Sequence, residues 1–327
     1  MFTPDARQAI ETLASAPQDF GAIEASAALL KAEPMTERPE RLVLPAALAF
    51  AALSAPDAVT DVYDAAARGW LGRAVEGPRI ARFTRAPEPV PQELWSDFWA
   101  LSDDAREGRL TDAGAITART AALGGHTHDS FRARVAEAAY LWPGVAEAAS
   151  RGFPDKLDVQ ALACCPQGSI GHALYRLIVD NKFDLEVLDR DALGLRHLPK
   201  PLDYLNVRML QTHDLWHILA GYQTTALHEI AISAFQMAQF GHSYSAMFLS
   251  VVSAIGHQGE RAGLPVLYET IFQAYAHGRE TPPLMDIDWE SHWHTQVPDL
   301  RAAFGVTPFV SPFPADLFEQ LRDMQAA

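Results

Sequence analysis

Residues 215–259 carry a single charged side chain, Glu229, although 20% of all residues in the chain are charged. A segment this poor in charge belongs in the interior of a folded protein, because helices turn their charged side chains toward water. Burying an unpaired carboxylate costs several kcal/mol or forces it to bind a proton. The pattern therefore predicts a positively charged partner for Glu229, which is either a metal ion or a buried arginine or histidine.

Most of the chain has the apolar periodicity or the residue content of helices, and no run of alternating apolar and polar residues typical of strands stands out. Ser169 is placed to cap the helix-like segment that follows it. The predicted helical segments are 5–32, 57–67, 94–106, 111–123, 131–149 with a break at Pro143-Gly144, 170–181, 201–220, 224–240, 244–256 and 264–277. We therefore predict an all-α fold, a multi-helix bundle.

Charge and composition exclude several classes of protein. The net charge of −15 lacks the basic surface of a nucleic-acid-binding protein, and two cysteines cannot build a disulfide framework. The N-terminal sequence has no secretory or transit pattern, and the apolar run 42–53 is too short to span a membrane. We expect a soluble, cytoplasmic protein.

The segment His213-Asp214-Leu215-Trp216-His217 carries the strongest chemical signal. Residues four apart lie on one face of a helix, so His213 and His217 point the same way, as in helical His-x-x-x-His metal sites. Asp214 lies about 100° around the helix from His213, where it could bind the same ion or orient a histidine. Glu229 is the candidate for the third ligand.

Glu229 can reach the two histidines only if the chain turns back between them. One continuous helix would place it about 18 Å from His217 along the axis. Gly221 suits the end of a helix, and Thr224 or Thr225 suits the start of the next. We therefore predict an antiparallel helix pair that carries the metal motif. The alternatives are an accidental His-x-x-x-His, or an unrelated metallohydrolase, which would lack the general-base glutamate of HExxH.

The residues HDLWHILAG at 213–221, followed by Glu229, resemble the HDxxH-x11-E zinc motif of a ubiquinone (coenzyme Q) biosynthesis family, the fourth of its series (the Coq-four family). The resemblance extends to PQGSIGHALYRLIVDN at 166–181, to Tyr204 and Arg208, and to the segment 274–306, with a weaker likeness at 39–65. The family commonly has glycine where this chain has His228. We divide the chain into a helical N-terminal region, 1–160, and a family core, 161–327.

The resemblance implies a role in ubiquinone biosynthesis, with His213, Asp214, His217 and Glu229 as metal ligands and catalytic residues. The implied reaction is oxidative decarboxylation at C1 of the prenylated 4-hydroxybenzoate-derived ring. Zinc is the expected ion, with iron(II) or another divalent metal as the alternative. The competing interpretation is a non-catalytic, lipid-binding scaffold with a structural metal, which organises the ubiquinone biosynthetic complex.

The implied partners are a prenylated aromatic quinone precursor, other ubiquinone biosynthesis enzymes and a membrane surface. The protein could attach peripherally to the inner membrane, and it could form a homodimer. Arginine recognises anionic groups bidentately, and apolar side chains suit the polyprenyl tail. The candidate substrate-binding residues are Tyr204, Arg208, His228, Phe235, Met247, Phe248 and Arg279. An apolar groove is predicted from Ile230, Phe235, Met237, Phe240, Met247, Phe248, Leu249, Val251 and Val252, which could equally be ordinary core.

Overall fold

The computed structural model of the chain describes residues 3–83, 85–110, 113–183, 189–259 and 261–326. These residues form α-helices and short 3₁₀ turns and no β-strand, which confirms the predicted all-α fold. None of the described helices is both long and apolar enough to cross a lipid bilayer. The α-helices are α1 (Pro4–Ala14), α2 (Phe20–Ala32), α3 (Val43–Leu53), α4 (Val59–Leu71), α5 (Gln92–Arg106), α6 (Ala113–Leu123), α7 (Asp129–Ala139), α8 (Val145–Ala149), α9 (Ile170–Asn181), α10 (Leu202–Ala220), α11 (Ala226–Phe240), α12 (Ser243–Gln258), α13 (Leu264–Glu280), α14 (Val297–Phe304) and α15 (Leu317–Ala326). The 3₁₀ turns are Pro39–Leu42, Pro56–Ala58, Gly124–His126, Gln160–Cys164, Leu195–His197, Arg261–Gly263 and Trp289–His292.

Helix α11 is the central helix of the bundle. Every residue from Ile230 to Phe240 is buried, because α11 contacts α10, α12 and α13 on different sides. Its closest neighbour is α13, where a Cβ on Gly278 would lie 2.7 Å from the backbone oxygen of Phe235. The central position explains the missing charge of this segment, since a helix surrounded on all sides has no face for a solvated side chain.

The helix pair α10 and α11 runs antiparallel, as predicted. His217 meets Glu229 close to the connecting turn, and His213 meets Gln236 farther from it. Gly221 ends α10 with a left-handed φ of 80°, where a side chain would be strained. Thr225 precedes α11 in the N-cap position, but its hydroxyl donates to the carbonyl of Ala315 and does not cap the helix.

The N-terminal helices pack on the same core as the C-terminal ones. Helices α3, α5 and α6 lie against α12, and α4 lies against α13. One hydrophobic cluster extends from Ile10 in α1 to Val306 after α14. The division at residue 160 therefore separates two stretches of sequence that share a core.

Two predicted helical segments are interrupted. The segment 5–32 forms α1 and α2, with Pro17 between them and the Asp19 carboxylate accepting from the Gly21 and Ala22 amides at the start of α2. The segment 131–149 breaks as expected at Pro143-Gly144, where Gly144 has a φ of 80°. The helix predicted over 111–123 begins at Ala113, and residues 111 and 112 lie outside the described residues. The Ser169 cap is confirmed, because its hydroxyl accepts from the His172 amide.

Candidate metal site

The two histidines of α10 converge on one point. His213 and His217 are one helical turn apart, and their Nε2 atoms are 3.0 Å apart. The His217 side chain is fully buried, whereas that of His213 is 31% exposed. The pair is therefore closed to solvent on the side of His217 and open to solvent on the side of His213.

Glu229 joins the pair from the first turn of α11. Its Oε2 lies 3.4 Å from His213 Nε2, and its Oε1 lies 3.4 Å from His217 Nε2. The turn that brings it there is held by the C-terminal segment. Phe309 stacks on Tyr222 and its amide donates to the Ala220 carbonyl, while the Glu319 carboxylate accepts from the amide of Ala226 at the start of α11.

The spacing of these three donors fits a metal ion. Zinc forms bonds of about 2.0–2.1 Å to imidazole nitrogen and carboxylate oxygen, and tetrahedral angles then place neighbouring donor atoms about 3.3 Å apart. The His213–His217 separation of 3.0 Å and the two carboxylate contacts of 3.4 Å, one from each oxygen of Glu229, are close to that edge length. Two histidines and a carboxylate are also a donor set that iron(II) accepts.

Asp214 is a looser member of the same group. One ligand atom each from His213, Asp214 and His217 lie within 4.8 Å of one another. Burial raises the pKa of the Asp214 carboxyl, an effect that the nearby His213 and His217 partly offset. The structure thus brings together all four residues of the HDxxH-x11-E pattern, with Asp214 next to the closer triad of His213, His217 and Glu229.

The charges of the closer triad are mutually dependent. Burial would raise the pKa of Glu229, but hydrogen bonds and charge from the two histidines outweigh it and hold this pKa well below its usual range. Burial would lower the pKa of His213, but the Glu229 carboxylate more than compensates and raises it. The two histidines are therefore the partners of Glu229, and no arginine or lysine among the described residues pairs with this carboxylate.

Each histidine also has a partner on its outer nitrogen. His217 Nδ1 lies 3.4 Å from the backbone carbonyl of Tyr222, and His213 Nδ1 lies 2.6 Å from the side-chain amide of Gln236. Tyr222 is held in turn, because its hydroxyl is 2.7 Å from Nδ1 of His277. Such partners fix the orientation and the tautomer of a ligating histidine.

Sequence analysis did not single out Gln236, Tyr222 or His277. A signal for Gln236 was available. It follows Glu229 by seven residues, or two helical turns, and therefore lies on the same face of α11. No comparable signal points to Tyr222 or His277, because their contacts with the site depend on the turn and on α13.

The candidate arginines are paired elsewhere. Arg208 forms a bidentate ion pair with Glu290, at 2.6 and 2.7 Å, and buried Tyr204 lies near it on α10. Arg279 is buried beside Asp64 and donates to the carbonyl of Pro78. Within the described part of the chain, no hydrogen bond or ion pair joins either arginine to the four candidate ligands.

The side chain of His228 contacts the turn between α10 and α11 and is not one of the candidate ligands. The side chain is buried, its Nδ1 accepts the Gln223 amide at 2.8 Å, and its ring packs edge-on against Phe309. Burial lowers its pKa, and the nearby His217 adds to the effect. This histidine therefore supports the turn between α10 and α11.

The predicted groove residues lie largely in the core. Phe235 packs edge-on against Trp216, and Met247 is buried on α12. Phe248 is half-buried and stacks on Tyr244. Of the nine groove residues, those that are buried are Ile230, Phe235, Met237, Phe240, Met247, Leu249 and Val251, and the half-buried ones are Phe248 and Val252.

Residues 153–309 match the family model of the coenzyme Q (ubiquinone) biosynthesis protein Coq4, and this range contains the complete site. Over these residues the chain is similar to the Coq4 family. The ubiquinone biosynthesis protein COQ4 homologue, mitochondrial, of Drosophila ananassae is 30% identical over 154 residues, which cover 46% of this chain and 55% of that protein. Its counterpart in Rattus norvegicus is 30% identical over 155 residues, which cover 46% and 56%.

The chain spans about half the length of the curated relatives that it matches. The fold is also found in a crystal structure of a candidate ubiquinone biosynthesis protein from Nostoc punctiforme. That protein is 22% identical, with a TM-score of 0.51 and coverage of 65% of this chain and 97% of the other. Most of the N-terminal region, residues 3–152, lies outside the Coq4 family match.

Proposed function

We propose that this chain acts in ubiquinone biosynthesis and that it binds a divalent metal ion, zinc or alternatively iron(II), through His213, His217 and Glu229, with Asp214 beside them. The observation that carries the proposal is the convergence of both Nε2 atoms and both Glu229 oxygens, with separations of 3.0–3.4 Å that are close to those between the ligand atoms of a zinc ion. The family match over residues 153–309 supports the pathway.

The proposed reaction is the oxidative decarboxylation at C1 of the prenylated 4-hydroxybenzoate-derived ring. The C1–carboxyl bond breaks, CO₂ leaves, and the electron pair stays on the ring. A bound divalent cation supplies a Lewis acid that stabilises this negative charge. In the hydroxylation that follows, O₂ would supply the ring oxygen, and its second oxygen atom would leave as water with two electrons from an external reductant. Zinc has no redox chemistry and could not activate O₂, whereas iron(II) could.

The residues of the site have separate roles in this proposal. His217 forms the closed floor, and the half-buried side chains of His213 and Glu229 leave one side open to a ring carboxylate or phenolate. Trp216 of α10 packs edge-on against Phe235 and Phe240 of α11 and joins the two helices through buried apolar rings. The polyprenyl tail would run along the half-buried part of α12, at Phe248 and Val252.

Asp214 separates this proposal from the scaffold alternative. If its carboxylate completes a fourth bond, the ion is fully enclosed by protein and has a structural role, as in a non-catalytic scaffold of the biosynthetic complex. If it remains outside the coordination sphere, one position is open to substrate. The looser spacing of Asp214, compared with the 3.0–3.4 Å of the closer triad, favours the open site.

The proposal is tested by rescue and by direct assay. In the first experiment, a strain that makes no ubiquinone because its own Coq4 gene is deleted would express the wild-type protein, His217→Ala or Glu229→Gln. In the second, each purified, metal-loaded protein would be incubated with the carboxylated precursor in air. We expect rescue and loss of the carboxyl group with the wild type only. Rescue by Glu229→Gln together with an unchanged precursor would refute the catalytic role and leave the scaffold.

Two further experiments test the proposed partners. We expect an organic extract of the purified protein to contain prenyl lipid by mass spectrometry, and its absence would count against tail binding. We also expect the protein to co-sediment with vesicles that have the lipid composition of an inner membrane. Protein that stays in the supernatant would contradict a peripheral attachment.

A further inference from the structure

The amide of Gln236 occupies a specific place behind the metal site. The side chain is 3% exposed, on the face of α11 that also carries Glu229, and its Nε2 lies 2.6 Å from Nδ1 of His213. A buried glutamine in the central apolar helix loses its bonds to water and must regain them from protein. Its partner here is the outer nitrogen of a candidate ligand.

The two histidines differ in how their protons are fixed. A histidine that binds a metal through Nε2 carries its proton on Nδ1. For His217 this tautomer is preset, because the Tyr222 carbonyl beside Nδ1 can only accept a hydrogen bond, which the Nδ1–H group donates. For His213 the neighbour is an amide, which accepts through Oε1 and donates through Nε2.

The orientation of this amide therefore selects the tautomer of His213. With Oε1 toward Nδ1, the His213 proton lies on Nδ1 and Nε2 is free to bind a metal. With Nε2 toward Nδ1, as in the described geometry, the proton lies on His213 Nε2, which can donate to His217 Nε2 at 3.0 Å or to Glu229. A half-turn of one terminal torsion interconverts the two arrangements.

We infer that Gln236 is a positioning residue for His213, whose amide turns its oxygen to Nδ1 when a divalent metal binds at Nε2. This inference rests on the proposed metal site. A glutamine suits the position because one side chain serves both proton arrangements. An apolar residue would serve neither, and a carboxylate would serve only the metal-binding one.

The test measures zinc affinity at neutral pH by competition with a chromogenic chelator, for the wild type, Gln236→Leu and Gln236→Glu. Loss of a hydrogen-bond partner behind a ligating histidine weakens metal binding by about 10–100-fold, and we expect that loss in Gln236→Leu. We expect Gln236→Glu to bind zinc within about threefold of the wild type or more tightly, because a carboxylate accepts the Nδ1 proton.

A matched control is Gln273→Leu. Gln273 is a half-buried glutamine on α13 that donates to Glu269 and does not contact the site, so we expect its zinc affinity to be unchanged. Thermal unfolding of each variant shows whether it is folded at the assay temperature. A purely structural role for Gln236 would shift the melting temperature of both Gln236 variants without separating their zinc affinities.

The outcomes distinguish this inference from the proposed function. If the wild type binds zinc and Gln236→Leu binds it equally well, the positioning role is refuted while the metal site stands. If Gln236→Glu is as weak as Gln236→Leu, the selection of a tautomer is refuted. If the wild type binds neither zinc nor iron(II), the metal site fails, and the inference fails with it.

Discussion

Replacing Glu229 by glutamine tests the metal site with the smallest change of shape. The substitution keeps the volume and one oxygen of the side chain but removes the negative charge that lies 3.4 Å from both histidines. A neutral amide oxygen is a weaker ligand than a carboxylate. We therefore expect zinc affinity to fall sharply while the fold is retained.

The size of the loss follows from the number of donors. Structural zinc sites with four ligands have apparent binding free energies of about 10–16 kcal/mol in peptides, or roughly 2.5–4 kcal/mol for each ligand. Since about 1.4 kcal/mol corresponds to a factor of ten, the loss of one ligand weakens binding on the order of 100–1,000-fold. Glu229 is one of three closely spaced donors, so we expect its replacement to reach this range.

The assay is a zinc competition titration of the wild type and Glu229→Gln at neutral pH, with the metal content of the purified proteins as a second measure. Glu269→Gln is the matched control. It makes the same chemical change at a partly buried glutamate that accepts from Trp70 and lies outside the site. A Glu229→Gln affinity within about threefold of the wild type would show that this carboxylate is not a ligand.

Further predictions concern the stability of the fold. Arg134 and Asp57 form an ion pair with side chains that are 2% and 0% exposed. Arg134→Met should therefore lower the free energy of unfolding, measured in urea, by about 3–5 kcal/mol, and the double variant Asp57→Leu/Arg134→Met should regain part of this stability. A cost below about 1 kcal/mol for Arg134→Met would contradict a buried ion pair. Burial lowers the pKa of His257 from 6.5 to about 3, so protonation favours the unfolded chain below pH 6.5. Between pH 7 and 5 this group should remove about 2 kcal/mol of stability, and His257→Gln should show a shallower pH dependence by that amount. Deletion of residues 1–150 would uncover the faces of α12 and α13 that α3, α4 and α5 bury, so we expect aggregation in size-exclusion chromatography, and a monodisperse fragment would contradict a shared core.

Much of the site could be predicted from local sequence because its geometry is local. The spacing of His213 and His217 fixes their common face once the segment is helical, and Gly221 marks the turn that returns the chain. The arginines could not be assigned in this way. Arg208 pairs with Glu290, which is distant in sequence, and such a partner becomes apparent only when the two segments are packed together.

The sequence by itself determined the helical class of this protein, the antiparallel turn and the group of four candidate ligands, because helical periodicity and short turns depend on neighbouring residues. Only the tertiary structure explains why the segment around Glu229 contains no other charged residue. α11 lies at the centre of the bundle, enclosed by α10, α12 and α13, so most of the apolar side chains predicted to line a groove form core. It also decided what orients the two histidines, since the carbonyl of Tyr222 and the amide of Gln236 reach them only across packed helices.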